Sequence, residues 1–168
     1  GARVQGVYAL WYGKGPGVDR SGDPIKHANR AGTSAHGGVL AVFGDDHAGK
    51  SSTISHQSDP AMAANGVPVL YPATVQEILD YGLHGWALSR FAGVWVGLKT
   101  VNEVIEATAT VDGSVERVQV TVPDMPEPSG GIGVRAGLDP IGDEVRLVRH
   151  KTPRIHAYVR SNRLDRVT

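Results

Sequence analysis

The chain has 168 residues, seventeen basic and seventeen acidic side chains, and no cysteine. Balanced charge speaks against a nucleic-acid binder, which normally carries a basic surplus, and the missing thiols exclude disulfides, iron–sulfur clusters and thiolate zinc sites within this chain. Hydrophobic residues make up 40%, enough for a buried core, while no apolar run has the length of a membrane span and no signal peptide is recognisable. A cytoplasmic protein without nucleic-acid or membrane partners is therefore expected. The chain starts at Gly1 rather than Met, and strand-like residues follow at once, so a cut inside a longer protein is expected as well.

Residues 4–12, "VQGVYALWY", form an apolar run rich in Val, Tyr and Trp and predict a strand. The glycine- and proline-rich "GKGPGVDRSGD" predicts a loop. Ser21 or Asp23 is placed to cap a short helix through "PIKHANRA", with Pro24 near its first turn and Gly32 at its end. "GGVLAVFG" is short, continuously apolar and bounded by glycine, as a buried parallel strand should be. After a polar stretch over residues 44–59, "PAMAAN" predicts a helical turn or two and "VPVLYP" a short strand. Thr74 and Glu77 form a capping-box pattern ahead of a helix over residues 74–92, in which Val75, Ile78, Leu79, Leu83, Trp86 and Leu88 recur near helical spacing. "GVWVGLK" predicts a third buried strand, and residues 105–122 a β-hairpin turning at Asp112-Gly113. "PDMPEPSGG" reads as a linker, and a helix from about Thr152 to Arg163 closes the chain. Strands alternating with helices through residue 100 predict an α/β architecture with a parallel sheet. Trp86, Trp95 and Phe91 are expected as core aromatics, His84 as a packed histidine, and the cations between Arg146 and Arg166 as a solvated helix face.

Gly44, Gly49, Lys50 and Ser51 spell G-x-x-x-x-G-K-[ST] directly after an apolar strand. A nucleotide-binding protein using residues 44–51 is therefore one reading. Against it, Asp45 and Asp46 would sit inside the anion cradle and repel a polyphosphate. The following "SSTISHQSDP" is a poor helix former where a phosphate loop needs a helix N-terminus. Neither "VPVLYP" nor "GVWVGLK" ends in a second acidic residue for magnesium. Asp45, Asp46, His47 and His56, with His36 and His27 nearby in sequence, offer oxygen and imidazole donors. Polar loops carry such residues for turns and hydrogen bonds, and no metal ligand is assigned.

The blocks "WYGKGPGVDRSGDPIKHANRAGTSAHGGVLAVFGDDHAGKSSTISHQSD" and "GVPVLYPATVQEILDYGLHGWALSRFAGVWVGLKTV" together are far more specific than either motif. They resemble the large fused indolepyruvate ferredoxin oxidoreductases of the 2-oxoacid:acceptor oxidoreductase family, in the domain that receives the aminopyrimidine ring of thiamine diphosphate. The likeness fades over residues 105–131 and returns faintly at "PRIHAYVRSNRLDRV". The resemblance implies a thiamine-diphosphate-binding fold of the pyrimidine type, short at its N-terminus, over residues 1–123. A hairpin belongs to that unit, and residues 124–168 are a linker and helix leading to a following domain. It implies a parent enzyme that oxidatively decarboxylates aryl 2-oxo acids to acyl-coenzyme A, with Mg2+ and diphosphate held elsewhere, iron–sulfur clusters in other segments, ferredoxin as electron acceptor, and a homodimeric assembly. The glutamate that activates the cofactor in that family has no counterpart here: Glu77, Glu103 and Glu106 lie in the wrong context. The chain alone is expected to be inactive.

Ligands of open α/β sheets sit at the carboxyl ends of strands. Two loops there supply the candidate residues. Lys14, Gly15, Gly17, Asp19 and Asp46 are expected at the cofactor, and Arg20, Lys50 and Ser51 at the substrate, with a cation for its carboxylate. His47 and His56 are expected as catalytic groups, since a histidine near a carboxylate can shuttle protons. The competing readings are a solvated surface turn for the first loop and, for residues 44–58, a loop braced by Asp–Ser and Asp–amide hydrogen bonds. A structural or interface domain without ligand contacts is the remaining alternative for the whole chain.

Overall fold

The protein is described from a computed structural model over residues 5–135, 137 and 139–165. Four parallel strands form one sheet in the order β1-β2-β4-β3: β1 Tyr8–Lys14, β2 Gly38–Asp45, β3 Val69–Leu70 and β4 Trp95–Val101. The α/β character expected from the alternation of elements is present. The first strand begins later than the apolar run suggested, and Val4 lies outside the described residues.

Helices cover both faces of the sheet. On one side α1 (Gly15–Arg20), α2 (Gly22–Ala31) and α3 (Asp59–Ala64) bring Val18, Ile25 and Met62 onto Ala41 and Phe43. On the other side α4 (Val75–Ala92) and α7 (Thr152–Asn162) bury Leu88, Ala92 and Tyr158 against Leu40, Val96 and Leu98. The continuous apolar character of β2 and β4 follows from this double cover. The Thr74 hydroxyl accepts from the Glu77 amide at 3.1 Å, while the Glu77 carboxylate accepts from the Ala73 amide at 2.7 Å. One free amide of the first turn and the amide just before the cap are satisfied this way. Gly93, at φ 66°, ends α4 in the left-handed conformation.

Three segments depart from expectation. The Gly-Pro-Gly stretch is helix α1, not loop: its proline occupies the first turn and its Val18 is fully buried, so packing overrides the poor propensity. The hairpin over residues 105–122 does not form. Asn102–Ile105 is a short helix, α5, and residues 107–122 carry no strand. Asp112 instead accepts from the Ser114 amide at 2.9 Å, and its backbone is held by the Gln76 amide group. The third departure is α6 (Pro140–Arg146), which runs through a π-helical turn, Leu147–Lys151, into α7. Of the supposedly solvated cations on these elements, Arg146, Lys151 and Arg154 are buried, whereas Arg166 lies outside the described residues. Arg154 donates to the carbonyls of Phe91, Met125 and Pro126. Lys151 donates to those of Arg30, at 3.1 Å, and Asn29, so that a cation closes the C-terminus of α2.

Candidate functional site

The carboxyl ends of β1, β2 and β4 open onto one cleft of about 270 Å³. Lys14 and Gly13 come from β1, Gly44, Asp45 and Asp46 from the end of β2, and Thr100, Val101 and Asn102 from the end of β4, with Ser51 and Ile105 completing the lining. The parallel register, which sets Lys14 beside Gly44 and Asp45 beside Val101, is what brings them together.

The loop after β2 folds around its own aspartate. Asp46 accepts from the Lys50 amide at 2.9 Å, the Ser51 amide at 2.7 Å and the Ser51 hydroxyl at 3.2 Å. Its backbone carbonyl takes the Gly49 and His56 amides, and Gly49 stands at φ 66°. The Ser51 and Lys50 amides hold the Asp46 carboxyl below its ordinary value. In a phosphate loop these amides point outward at the anion; here an internal carboxylate takes them, and no helix follows until Asp59. The geometry therefore opposes the G-x-x-x-x-G-K-S spelling as a nucleotide site. The Lys14 ammonium donates to the Ser51 carbonyl at 2.6 Å and ties the end of β1 to this loop.

Behind the cleft lies a chain of charged groups. The Asp45 carboxylate, fully buried, accepts from the Ser58 amide at 2.8 Å and hydroxyl at 2.6 Å, with Lys99 Nζ at 3.6 Å. Lys99 also donates to Asp59 and lies 4.6 Å from the centre of the Tyr71 ring. Burial disfavours the Lys99 charge, but the Asp59 hydrogen bond and the charges of Asp59 and Asp45 outweigh it and hold the ammonium above the usual lysine value. His56 Nε2 pairs with Asp19 at 2.8 Å, and its Nδ1 stands 3.7 Å from Asp45, beyond hydrogen-bond reach. The imidazole lies so close over Gly15 that a Cβ there would come within 2.0 Å of Nδ1.

No protein-family model, curated protein or solved structure matches this chain. The geometry alone therefore locates the expected residues. Lys14, Asp46 and Ser51 meet at the cleft. Asp19 and His56 pair beside it, and Gly15 is the floor under that imidazole. Gly17 lies within α1, Arg20 is exposed in its last turn, and His47 and Lys50 are exposed on the loop. None of these four lines the cleft. Sequence reasoning missed Lys99, Asp59, Thr100 and Asn102. The available signal was the lysine ending an otherwise apolar strand, since a buried strand tolerates that charge only with carboxylate partners.

The carboxylates in and beside the cleft are paired within the protein. Asp19, Asp45 and Asp46 all have partners already, to His56, to Ser58 and Lys99, and to the Lys50 and Ser51 amides. Among the described residues, no three His, Asp or Glu side chains gather as a metal ion would need. The rest of the lining is Val101, Ile105 and glycine backbone, with Lys14, whose ammonium is on the Ser51 carbonyl, and Asn102, whose side-chain amide nitrogen donates to Glu106.

Proposed function

We propose that this chain is the pyrimidine-side domain of a thiamine-diphosphate-dependent 2-oxoacid oxidoreductase, acting on aryl 2-oxo acids of the indolepyruvate kind. The observation that supports the reading most is the meeting of both resembling sequence blocks at one cleft on the carboxyl edge of a parallel sheet, where such sheets bind ligands. In this reading the wall of Val101, Ile105, Gly13 and Gly44 receives an aromatic ring. Lys14 stands at the rim, where it attracts a carboxylate, and the Asp46-braced loop keeps that rim in place. Thiamine diphosphate, when bound, supplies the electron sink for decarboxylation. This chain's residues bind and orient, and the activating carboxylate, Mg2+, iron–sulfur clusters, coenzyme A and ferredoxin belong to the remaining domains and the homodimeric parent enzyme.

Calorimetric titration tests the reading. The chain, mixed with the remaining domains of the parent enzyme, should take up thiamine diphosphate, and the assembled enzyme should oxidise an aryl pyruvate with coenzyme A and ferredoxin. Lys14→Ala should raise the KM for the 2-oxo acid severalfold. ATP or GTP binding to the chain alone, or an assembled enzyme indifferent to Lys14→Ala, would overturn it.

A second reading, a purely structural domain of a multidomain enzyme, is favoured by the complete internal pairing of the cleft's carboxylates. It predicts no change in cofactor affinity on substitution of any cleft residue.

A further inference from the structure

The two edges of the sheet differ. At one edge β3 is two residues long and lies between Pro68 and Pro72, the usual means of blunting an edge. At the other edge β1 runs for seven residues without proline, and its only charge is the terminal Lys14. Among the described residues no strand pairs with its outer side.

The face of β1 is uncovered as well. The register sets Leu10 beside Leu40 and Tyr12 beside Val42, so Tyr8, Leu10 and Tyr12 point to the side that α4 covers over β2 and β4. Over β1 itself α4 reaches Tyr8, through Trp86 packed edge-on at 5.8 Å and Arg90 over the ring at 5.1 Å. Tyr8, Leu10 and Tyr12 are 53%, 56% and 80% exposed, with Leu79 and Leu83 exposed on α4.

We infer that β1 is the self-association edge of this chain, pairing antiparallel with β1 of a second copy about a two-fold axis. Two observations select a second copy as the occupant. The exposed triplet Tyr8, Leu10, Tyr12 is self-complementary when read antiparallel: Leu10 faces the partner's Leu10, and each Tyr8 faces the partner's Tyr12. Aromatic and aliphatic cross-strand pairs of this kind stabilise a ladder. The area also suits the contact. Taking about 200 Å² for each large side chain, the five exposed residues on this face hold roughly 570 Å² per copy, toward the lower end of specific interfaces. Such a contact is isologous and closes at two, because the opposite edge is blunted. It does not depend on the function proposed above.

Light scattering and sedimentation on the full 168-residue chain test the pairing. Dimer is expected, with Leu10→Lys weakening association by about tenfold or more while the thermal transition stays cooperative. Because the chain has no cysteine, Leu10→Cys supplies a register test. It should oxidise readily to a covalent dimer, since directly opposed Cβ atoms lie about 4.5–5.5 Å apart. Tyr12→Cys should not, because two copies of residue 12 would stand roughly 13 Å apart along the strands. A monomer at all concentrations, open-ended aggregation, a dimer indifferent to Leu10→Lys, or equal cross-linking of the two cysteine variants would overturn the inference.

Discussion

Lys99 Nζ stands 3.6 Å from the Asp45 carboxylate, and both side chains are buried at the carboxyl end of the sheet. Removing one partner strands the other in a low-dielectric site, which destabilises far more than losing the pair together. Lys99→Met should lower the unfolding free energy by about 3–5 kcal/mol. Adding Asp45→Asn to that variant should restore part of the loss. Urea unfolding of both single variants and the double variant measures the coupling.

Lys151 sets an alkaline stability window. Burial pushes its ammonium down to about 8, against an ordinary value of 10.5. Between those values the unfolded chain binds a proton that the native chain lacks, so stability rises with pH by up to about 3 kcal/mol. Below pH 8 both states hold the proton and the contribution is flat. Above about pH 10 the curve turns over: burial pushes the Tyr158 hydroxyl up, and the unfolded tyrosine ionises first. Lys151→Met should abolish the rise between pH 8 and pH 10 in denaturant midpoints, leaving the fall above it.

The Asp46 brace should make the Lys50 and Ser51 amides slow to exchange. Asp46→Ala should speed their hydrogen exchange while leaving the amides of β2 and β4 protected. In the native chain the same protection should hold at neutral pH. It should fade as pH falls through the depressed Asp46 value, because the folded loop prefers the ionised carboxylate. Fast exchange of both amides at neutral pH would refute the brace.

Gly15→Ala would set a Cβ 2.0 Å from His56 Nδ1 and drive the imidazole out from between Asp19 and Asp45. A loss of about 1–3 kcal/mol is expected, as for other overpacked sites. His56→Ala in the same background should recover part of it, since the obstructing ring is gone. Thermal unfolding of Gly15→Ala, His56→Ala and the double variant decides the matter.

Elements whose signal is local were legible in the sequence. β2 and β4 announce themselves as glycine-bounded apolar runs, and α4 by its Thr74 cap and its apolar spacing. Helix α1 was hidden because glycine and proline advertise a turn, and only the distant packing of Val18 makes it helical. The Asp112-Gly113 signal misled for a related reason: hydrogen bonds from Gln76, thirty-six positions away, compete for that backbone. At the site, Lys14, Asp46 and Ser51 were placed by the strand-end rule. Lys99 escaped because its partners, Asp45 and Asp59, are separated from it by 54 and 40 positions and meet it only in the folded sheet.

The extended segment over residues 107–128 has consequences for the order of folding. Its anchors come from two helices: Gln76 and Asp80 of α4 hold Asp112 and Arg117, while Asn162 and Arg154 of α7 hold Thr121, Met125 and Pro126. Neither helix alone offers the full set. The two helices meet where Tyr158 packs in one cluster with Leu88 and hydrogen-bonds His84. A segment anchored from two helices is expected to dock late in folding, so substitutions at Arg117 or Thr121 should speed unfolding more than they slow folding, which stopped-flow kinetics would measure.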